Sequence, residues 1–569
     1  MHIYLKGAPA LEQSPAATRS KSTQINLTSV IYGLIAIGVF FRLYHYLDNR
    51  SFWIDEIFLA TSFVNMSFWE MLTMPLENEQ KAPVGYIILT KIFVMLFGPN
   101  EMALRLLSLL SGILTLFAFV PVARHFIMSR LGVVLAVGVI ALSPPIIYHS
   151  VEAKQYSTGL LCSVLALLCF VKFHQNVSIK SLLTWGLYGS LLLWFSFSMM
   201  FVLGGMAIAL SLYYMYHKDW KRIAYLLIPF SIWLVTVVLN YFLFLQDYQD
   251  SSWLVAWFRN RNGFMPLPPT SLQELMWFVN RPFSLLDYPL GLSWFQFKGE
   301  NPLLQVLYRM SLIPFALLVL GVIIQFRSSK KIFWVFLSPI MLHLLAAGVE
   351  AYPFFERLTV YLAPILIILI ANACIVAVKF IADKWRNSTS VKYALPIFLL
   401  VGPVYNSVLN IVDQDTFGGS KNWHQRELFM YINKHYKPGD AVYIYWNAKY
   451  PYQFYGKAYP LRFKAIEGND YRFKARSMEE YQRKVDADIQ ALKKYDRVWL
   501  IYADYLGSHI GEFEFQPEWY YRTKMDVEQL PAKFSQFGKP IDSFRTKEDM
   551  DAILFDIEDD KLDHLGEKL

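Results

Sequence analysis

The chain has 569 residues, of which 55% are hydrophobic and 17% aromatic, while only 17% are charged. This composition excludes an ordinary soluble globular protein and indicates an integral membrane protein. The formal net charge of +8 requires no nucleic-acid partner, because basic residues collect in the short loops between membrane spans.

The N-terminal arm, residues 1–24, is polar and carries Lys6, Arg19 and Lys21 ahead of the first apolar run. No small-residue cleavage site follows that run, so we expect a retained first span rather than a cleaved signal peptide. Runs of roughly 20 apolar residues predict membrane-spanning helices, the form that satisfies every backbone group inside lipid. Such runs lie at 25–47, 102–126, 223–245, 303–326 and 358–378.

The orientation follows from the basic loops, which alternate with the apolar runs. If these loops and the N-terminal arm are cytoplasmic, about eleven spans between residues 25 and 411 obey the positive-inside rule. The loops 48–101 and 246–302 and the C-terminal tail then lie outside. The basic loops are 124–130, 172–180, 218–222, 327–331 and 379–392.

One apolar stretch, residues 83–97, makes the count ambiguous, because treating it as a span would invert every later loop. It is short and carries Lys91 near its middle. A short apolar helix with a charge is typical of the membrane interface, so we predict that it lies in the first outer loop without crossing the bilayer.

The second outer loop, 246–302, mixes tryptophans with arginines, as interfacial loops do. The pattern from Ser271 to Glu274 predicts a capping box that begins a short helix. An aromatic belt with arginines that pair with lipid phosphates accounts for most of these residues. They are Trp253, Trp257, Trp277, Arg259, Arg261 and Arg281.

After residue 411 the chain becomes charged and loses its long apolar runs. Short apolar strands at 442–445, 498–502 and 552–555 alternate with helical patterns at 423–436 and 481–492. Residues 412–569 are therefore predicted to form an extracytoplasmic α/β domain. It has no glycine-rich phosphate loop, which argues against a nucleotide site.

The three cysteines, Cys162, Cys169 and Cys374, all fall within apolar runs. This placement argues against a disulfide framework and against a zinc site.

Four outer turns each offer an acid with a basic residue nearby. Helices packed side by side would gather these turns around one cavity at the membrane surface. A carboxylate there is suited to act as general base, and cations to stabilise a phosphate leaving group. The simpler alternative for each acid is a solvated loop residue or an ion pair. The turns contain Asp55 and Glu56, Glu79 and Lys81, Glu152 and Lys154, and Glu350, Glu356 and Arg357.

The ordered series of motifs resembles the GT-C glycosyltransferases. Trp53-Ile54-Asp55-Glu56, then Lys81-Ala82-Pro83, resembles the first outer loop of the bacterial branch with protein O-mannosyltransferases and the lipid A aminoarabinose transferase. The segment Glu152-Ala153-Lys154-Gln155-Tyr156 is similar to a later Glu-x-Arg-x-Tyr loop of that branch, with Lys154 where arginine is usual.

The resemblance implies transfer of a sugar from a polyprenyl-phosphate donor to a glycan, lipid or protein acceptor outside the inner (plasma) membrane. It implies that Asp55 matches a first-loop carboxylate that acts as base or associates with a metal, with Glu56 as its neighbour. We therefore expect Asp55 and Glu56 as the catalytic residues, with Asp55 as the general base. We expect the donor phosphate to be held by Lys81, Lys154, Arg357, Arg259, Arg261 and Arg281. Some members use a divalent metal and others do not; candidate ligands here are Glu79, His149 and Glu152.

The main alternative is a polytopic transporter or flippase of lipid-linked sugars, which would show charges at mid-bilayer and repeated halves. No such repeat is present, and Arg42 and Arg105 lie near span ends, from which long side chains extend to the interface. A second alternative is a non-catalytic scaffold that presents the C-terminal domain, in which Asp55 would be replaceable.

Overall fold

The computed structural model describes residues 26–245, 252–293, 312–384, 389–421, 423–503, 517–523, 529–546 and 549–557. The cytoplasmic arm predicted for residues 1–24 lies outside these ranges, as do parts of the loop 246–302. The molecule is mainly helical up to Val412, and a small mixed sheet follows.

Eight helices in the described part of the chain are long and apolar enough to cross a membrane, or nine if one bent pair is a single span. Two further apolar helices are shorter. Lipid-facing surfaces carry large apolar side chains such as Phe40 and Leu234, which are 55% and 65% exposed. The predicted helical polytopic class is confirmed, with eight or nine candidate spans described against the predicted total of about eleven.

The helices before the second outer loop are α1 (Leu27–Asp48), α2 (Ile54–Asn65), α3 (Glu70–Thr73), α4 (Val84–Phe97), α5 (Glu101–Phe126), α6 (Arg130–Leu142), α7 (Pro144–Ser150), α8 (Tyr156–Phe173), α9 (Ile179–Phe195), α10 (Met199–Tyr216) and α11 (Trp220–Asn240). Those from that loop to the last span are α12 (Ser252–Asn260), α13 (Leu272–Asp287), α14 (Leu312–Ser328), α15 (Lys330–Gly348), α16 (Ala363–Lys384) and α17 (Thr389–Val412).

The bent pair is α6 and α7, which meet at an angle of 53°. Pro144 at the first turn of α7 has no N–H to continue the bonding of α6. Arg42 of α1 donates to the carbonyls of Ile140 (3.1 Å) and Ala141 (3.1 Å) at the end of α6. Arg42 is fully buried, so the expectation that it extends to the interface is wrong.

The short apolar stretch at residues 83–97 forms a helix, α4. Nζ of Lys91 donates to the backbone carbonyls of Phe63 and Met66, each at 2.7 Å. These bonds give the ammonium donors of Lys91 acceptors within an otherwise apolar helix. In the second loop, the capping box predicted at Ser271 and Glu274 is present at the start of α13.

The C-terminal sheet has five strands in the order β2-β1-β3-β5-β4. β1 pairs in parallel with β2 and β3, whereas β5 runs antiparallel to β3 and β4. The three predicted strands are β1, β3 and β5, and the two predicted helices are α18 and α20. The elements are α18 (Gln425–His435), β1 (Ala441–Ile444), α19 (Lys449–Ala458), β2 (Ile466–Glu467), α20 (Met478–Gln490), β3 (Arg497–Ala503), α21 (Glu518–Thr523), α22 (Gln529–Phe534), β4 (Gly538–Phe544) and β5 (Met550–Ile557).

Alternate residues of β3 enter two different cores, as the pleat requires. Val498 and Leu500 pack against α20, whereas Trp499 and Ile501 join a core that α18 and α19 share with α2. Phe52, just before α2, belongs to this second core, and its ring lies 5.2 Å from that of Phe454. The first outer loop and the C-terminal sheet are thus packed as one unit.

Candidate functional site

Asp55 lies in the first turn of α2, where the partial positive charge of a helix N-terminus favours a carboxylate. Its Oδ2 accepts a hydrogen bond from Nη1 of Arg357, 302 residues further along the chain. The two side chains form an ion pair and remain 24% and 13% exposed, respectively. The structure therefore brings two predicted site residues together where a ligand can reach both.

Aromatic rings surround the guanidinium of Arg357. Its central carbon lies 5.7 Å from the ring centroid of Trp53, and 5.9 Å from those of Tyr156 and Trp257. These rings come from the starts of α2 and α8 and from α12, so three segments hold one cation. The arrangement fixes the guanidinium beside Asp55.

A small cavity of about 20 Å³, enough for one water molecule, lies against Arg357. Ser196 and Ser198 line it, and their hydroxyl groups are 3.1 Å apart. Tyr156 and Tyr352 complete its polar wall. The recess beside the guanidinium thus offers hydroxyl groups to a bound molecule.

Glu152, which has no exposed surface, lies at the centre of a second cluster. Its Oε2 lies 2.7 Å from Nδ1 of His149, and its Oε1 accepts a hydrogen bond from Nε1 of Trp53 at 3.2 Å. The other ring nitrogen of His149 contacts the hydroxyl of Tyr288. Because both carboxylate oxygens of Glu152 have partners, Glu152 serves as a fixed negative charge behind Trp53.

The charges of the cluster shift the acid pKa values downward. Burial raises the pKa of Asp55, but Arg357 and Lys154 outweigh burial and bring it below its ordinary value. Burial likewise raises the pKa of Glu152, and His149, Lys421 and Arg357 more than offset it. Both carboxylates are therefore ionised at neutral pH.

Lys154 lies in the turn between α7 and α8 and is buried. Its ammonium donates to Oε1 of Gln80 at 2.6 Å, and burial lowers its pKa while Asp55 acts in the opposite direction. The next residue, Gln155, donates to the backbone carbonyl of Lys81 at 3.4 Å. The structure thus places the Gln80–Lys81 segment against this turn, with the Lys81 side chain half-buried at its edge.

Glu56, the neighbour of Asp55, is fully buried behind the site. Its carboxylate accepts hydrogen bonds from Arg105 at 3.0 and 2.9 Å and from Arg50 at 3.2 Å. It also accepts the backbone N–H of Ala153 at 2.7 Å. Glu56 therefore ties α2, α5 and the turn that carries Lys154 together, and Arg105 is buried with it rather than extended to the interface.

The three arginines of the second outer loop differ in position. Arg261 lies 4.0 Å from the ring centroid of Trp257, the ring that also faces Arg357. Arg281 donates to the backbone carbonyl of Arg261 at 2.8 Å. Arg259 forms an exposed two-bond pair with Glu350, at 3.0 and 2.7 Å. Arg261 thus shares a ring contact with Arg357, whereas Arg259 pairs with Glu350 at the surface.

The proposed metal ligands do not gather into one set. His149 and Glu152 contact each other, but Glu79 is exposed on the turn between α3 and α4. Within the described ranges, no group of three His, Cys, Asp or Glu side chains is arranged to hold a metal ion.

Two residues of this cluster, Tyr288 and Lys421, could not be recognised as site residues from the sequence. Lys421 ends a 3-10 turn, Gly419–Lys421, after the last span. Its ammonium lies 4.7 Å from the ring centroid of Trp53 and 5.0 Å from that of Tyr148. A single lysine in a polar linker has no motif or periodicity to mark it. Trp53, by contrast, was identifiable from its place beside Asp55.

Two solved structures of ArnT from Cupriavidus metallidurans share this architecture. The one bound to undecaprenyl phosphate aligns with a TM-score of 0.53 and 13% sequence identity over 93% of this chain and 98% of that chain. The apo-state structure aligns with a TM-score of 0.51 at the same identity and coverage. No protein-family model and no curated protein sequence matches the chain. At this identity the likeness establishes the fold, and the GT-C fold expected from the sequence is confirmed.

Proposed function

We propose that this protein is a membrane glycosyltransferase that moves a sugar from a polyprenyl-phosphate donor to a glycan, lipid or protein acceptor outside the inner membrane. The observation that carries the proposal is the Asp55 and Arg357 pair, a carboxylate and a guanidinium that are both partly exposed, with a small recess against Arg357. The ArnT structure of the same fold binds undecaprenyl phosphate, which supports a lipid phosphate as the donor's leaving group.

In the proposed step, Asp55 takes the proton of an acceptor hydroxyl group as general base. The acceptor oxygen forms a bond to the anomeric carbon of the sugar. The bond between that carbon and the phosphate oxygen breaks, and its electron pair leaves with the polyprenyl phosphate. Attack opposite the leaving group inverts the anomeric centre, and nearby cations stabilise the charge that develops on the phosphate.

Arg357 couples donor binding to the strength of the base. While it pairs with Asp55, it lowers the pKa of that carboxyl and makes it a weaker base. A guanidinium has five N–H donors and binds phosphate readily. A donor phosphate that draws Arg357 toward itself weakens the pair, so the basicity of Asp55 rises when the donor is in place.

The other predicted cations have graded roles in this scheme. Lys154 is buried and interacts electrostatically with Asp55, so it assists Arg357 at the phosphate. Arg261, whose backbone carbonyl bonds to Arg281, contacts the Trp257 ring that Arg357 also contacts, and it guides the lipid phosphate toward Arg357. Arg259 is exposed and Lys81 half-buried, and in this scheme they attract the donor without touching the reacting bond.

The replacement of Asp55 by Asn tests the catalytic assignment. Asp55→Asn keeps the shape and a hydrogen-bond acceptor for Arg357 but removes the base, so sugar transfer is expected to fall by at least about 100-fold. The test expresses this variant in a strain that lacks the wild-type gene. Polyprenyl-phosphate sugars should accumulate in that strain as much as in the deletion strain without the variant, and mass spectrometry of lipid extracts measures them.

Two matched variants separate catalysis from folding. Glu70→Gln changes an exposed acid of the same loop and should restore the parental lipid pattern. Glu56→Gln should lower the unfolding temperature, because it removes a buried charge that two arginines require. A parental lipid pattern in the Asp55→Asn strain would refute the assignment of Asp55 as the base.

A further inference from the structure

The segment that follows the last span, residues 413–421, is here named the strap. It is fastened against the outer ends of the membrane helices. Phe417 stacks on His45 of α1, with ring centroids 3.6 Å apart and planes within 3°. Nη1 of Arg50 donates to the backbone carbonyl of Lys421 at 3.5 Å. The strap is therefore held against α1 and the segment that precedes α2.

Gly418 allows the strap to approach the ring of Tyr148 closely. Its φ of +84° is a conformation that side chains rarely adopt, and a Cβ there would lie 2.9 Å from Cε2 of Tyr148. Gly419 also has a positive φ, +56°, but a Cβ at that position would meet no atom within 4 Å. Contact at Gly418 thus sets where Lys421, three residues later, lies.

The ammonium of Lys421 has three donors, yet within the described residues it has no hydrogen-bond acceptor and no ion-pair partner. It lies over the rings of Trp53 and Tyr148. The charged groups that interact with it electrostatically are Glu152, Arg357, Glu356 and Asp55. Of these, Glu152 already bonds to His149 and Trp53, and Asp55 to Arg357. Lys421 is half-buried and its nitrogen is not closed off, so a ligand that enters the site can reach the ammonium and supply acceptors to it.

We propose that Lys421 is an anion-binding residue of the site and that its ligand is the phosphate of the lipid donor. This inference rests on the proposed function and extends it to the chain beyond the last span. A phosphate presents several strong acceptors, so it pairs with the compact charge of Lys421 while the planar fork of Arg357 holds it from another direction. The strap thereby makes the donor site incomplete without the C-terminal part of the chain.

The test measures binding of polyprenyl phosphate, and of the polyprenol of equal length, to the purified full-length protein in nanodiscs. The wild type should prefer the phosphate. Lys421→Ala should reduce that preference about tenfold with polyprenol affinity unchanged, since one charge-assisted hydrogen bond is lost. Lys421→Arg should retain most of the preference. Lys464→Ala, an exposed lysine of the C-terminal domain, is the matched control and should behave as the wild type.

The outcomes separate this inference from the proposed function. A wild type without preference for the phosphate would refute both. If the wild type prefers the phosphate and Lys421→Ala prefers it equally, only the role of Lys421 is refuted. Inorganic phosphate is the third probe. If it displaces bound polyprenyl phosphate as effectively as added polyprenyl phosphate does, the ligand is free phosphate and the lipid assignment is wrong.

A pair of glycine variants tests the strap itself. Gly418→Ala places a methyl group against Tyr148 and should reduce the preference for the phosphate, whereas Gly419→Ala has comparable backbone strain without the clash and should reduce it less. Equal effects of the two substitutions would show that the packing of the strap does not position Lys421.

Discussion

At the scale of single residues, the charge on Asp55 is set by its neighbours more than by its own chemistry. Burial acts to raise its pKa, and the cations of Arg357 and Lys154 act to lower it, with a net decrease from the ordinary value of 3.8. A group with a depressed pKa stays ionised as the pH falls through the range where a free aspartate takes up a proton. Asp55 is thus in the correct state for a base throughout the neutral range.

This electrostatic balance predicts the pH dependence of transfer. The fall of kcat/KM at low pH (its acid limb) reports protonation of Asp55 in the free enzyme, and it should lie below pH 3.8. The fall of kcat at low pH reports the same protonation in the donor complex. It should lie at higher pH, because the donor phosphate competes with Asp55 for Arg357. Arg357→Gln should move the acid limb of kcat/KM upward. Initial rates between pH 3 and 8, with unfolding followed in parallel, measure both limbs. Coincident limbs in the wild type would contradict the exchange of Arg357 between Asp55 and the donor.

Asp55 and Glu56 show how far the sequence alone could predict the site, because only the resemblance to a family separated the role of Asp55 from that of its neighbour. Adjacent carboxylates look alike in a sequence, and adjacent helix positions point about 100° apart. Their different environments depend on Arg105, which binds Glu56 from 49 residues away, and on Arg357, which binds Asp55 from 302 residues away. Lys421 illustrates the same limit, because only the folded strap brings it to Trp53.

At the scale of secondary-structure elements, a single arginine holds the break in a membrane helix. Arg42 donates to Gly38, Ile140 and Ala141 carbonyls at 2.8 to 3.1 Å and to Oγ of Ser150 at 3.2 Å. The bend between α6 and α7 leaves carbonyls without helical partners, and the guanidinium satisfies two of them. The turn with Glu152 and Lys154 follows α7 directly, so the bend sets where those residues lie.

Arg42→Met keeps the length of the side chain and removes its donors. The gain from removing a buried charge opposes the loss of carbonyl partners, but two orphaned carbonyls cost more, so we expect a net destabilisation of about 2 kcal/mol. Thermal unfolding of the purified protein measures this change, and transfer activity should fall with it. Arg124→Gln, an exposed arginine at the end of α5, is the control. An Arg42→Met variant as stable as the wild type would show that the bend between α6 and α7 does not need the hydrogen bonds that Arg42 donates.

Elements with a strong local signal were predictable, and those formed by tertiary packing were not. The strands β1, β3 and β5 alternate or run apolar, and the capping box of α13 is a local pattern. Helix α19 was not predicted, because its sequence mixes lysine, tyrosine and proline without a clear period. It forms against α2, where Phe58 and Tyr450 meet edge to face at 5.1 Å.

At the scale of the whole molecule, the C-terminal sheet and the first outer loop share a core and several polar bonds. Arg426 pairs with buried Glu101 at 3.0 Å, and the hydroxyl of Tyr455 accepts the backbone N–H of Phe52 at 3.0 Å. Both parts must therefore lie on one side of the membrane, whichever side that is. Sequence analysis reached the same arrangement only indirectly, by counting basic loops.

That arrangement predicts which surfaces an impermeant thiol reagent labels in intact cells. Single cysteines at Trp69 and Phe473, which are 72% and 64% exposed, should react from outside. Cysteines at Met128 and Tyr216, 101% and 85% exposed beside the basic loops, should react only after the membrane is permeabilised. Labelling detected by mass shift on gels measures each case.

The native cysteines give a low background for this experiment, since Cys162 and Cys374 are buried and Cys169 is half-buried in membrane helices. The two outer positions test different claims, because Trp69 reports the first loop and Phe473 the sheet. Labelling of Trp69→Cys without Phe473→Cys would contradict the shared core itself. Labelling of Met128→Cys and Tyr216→Cys from outside, with the other two protected, would preserve the shared core but invert the orientation. The proposed site would then face the cytoplasm, and its sugar donor would have to be presented on that side.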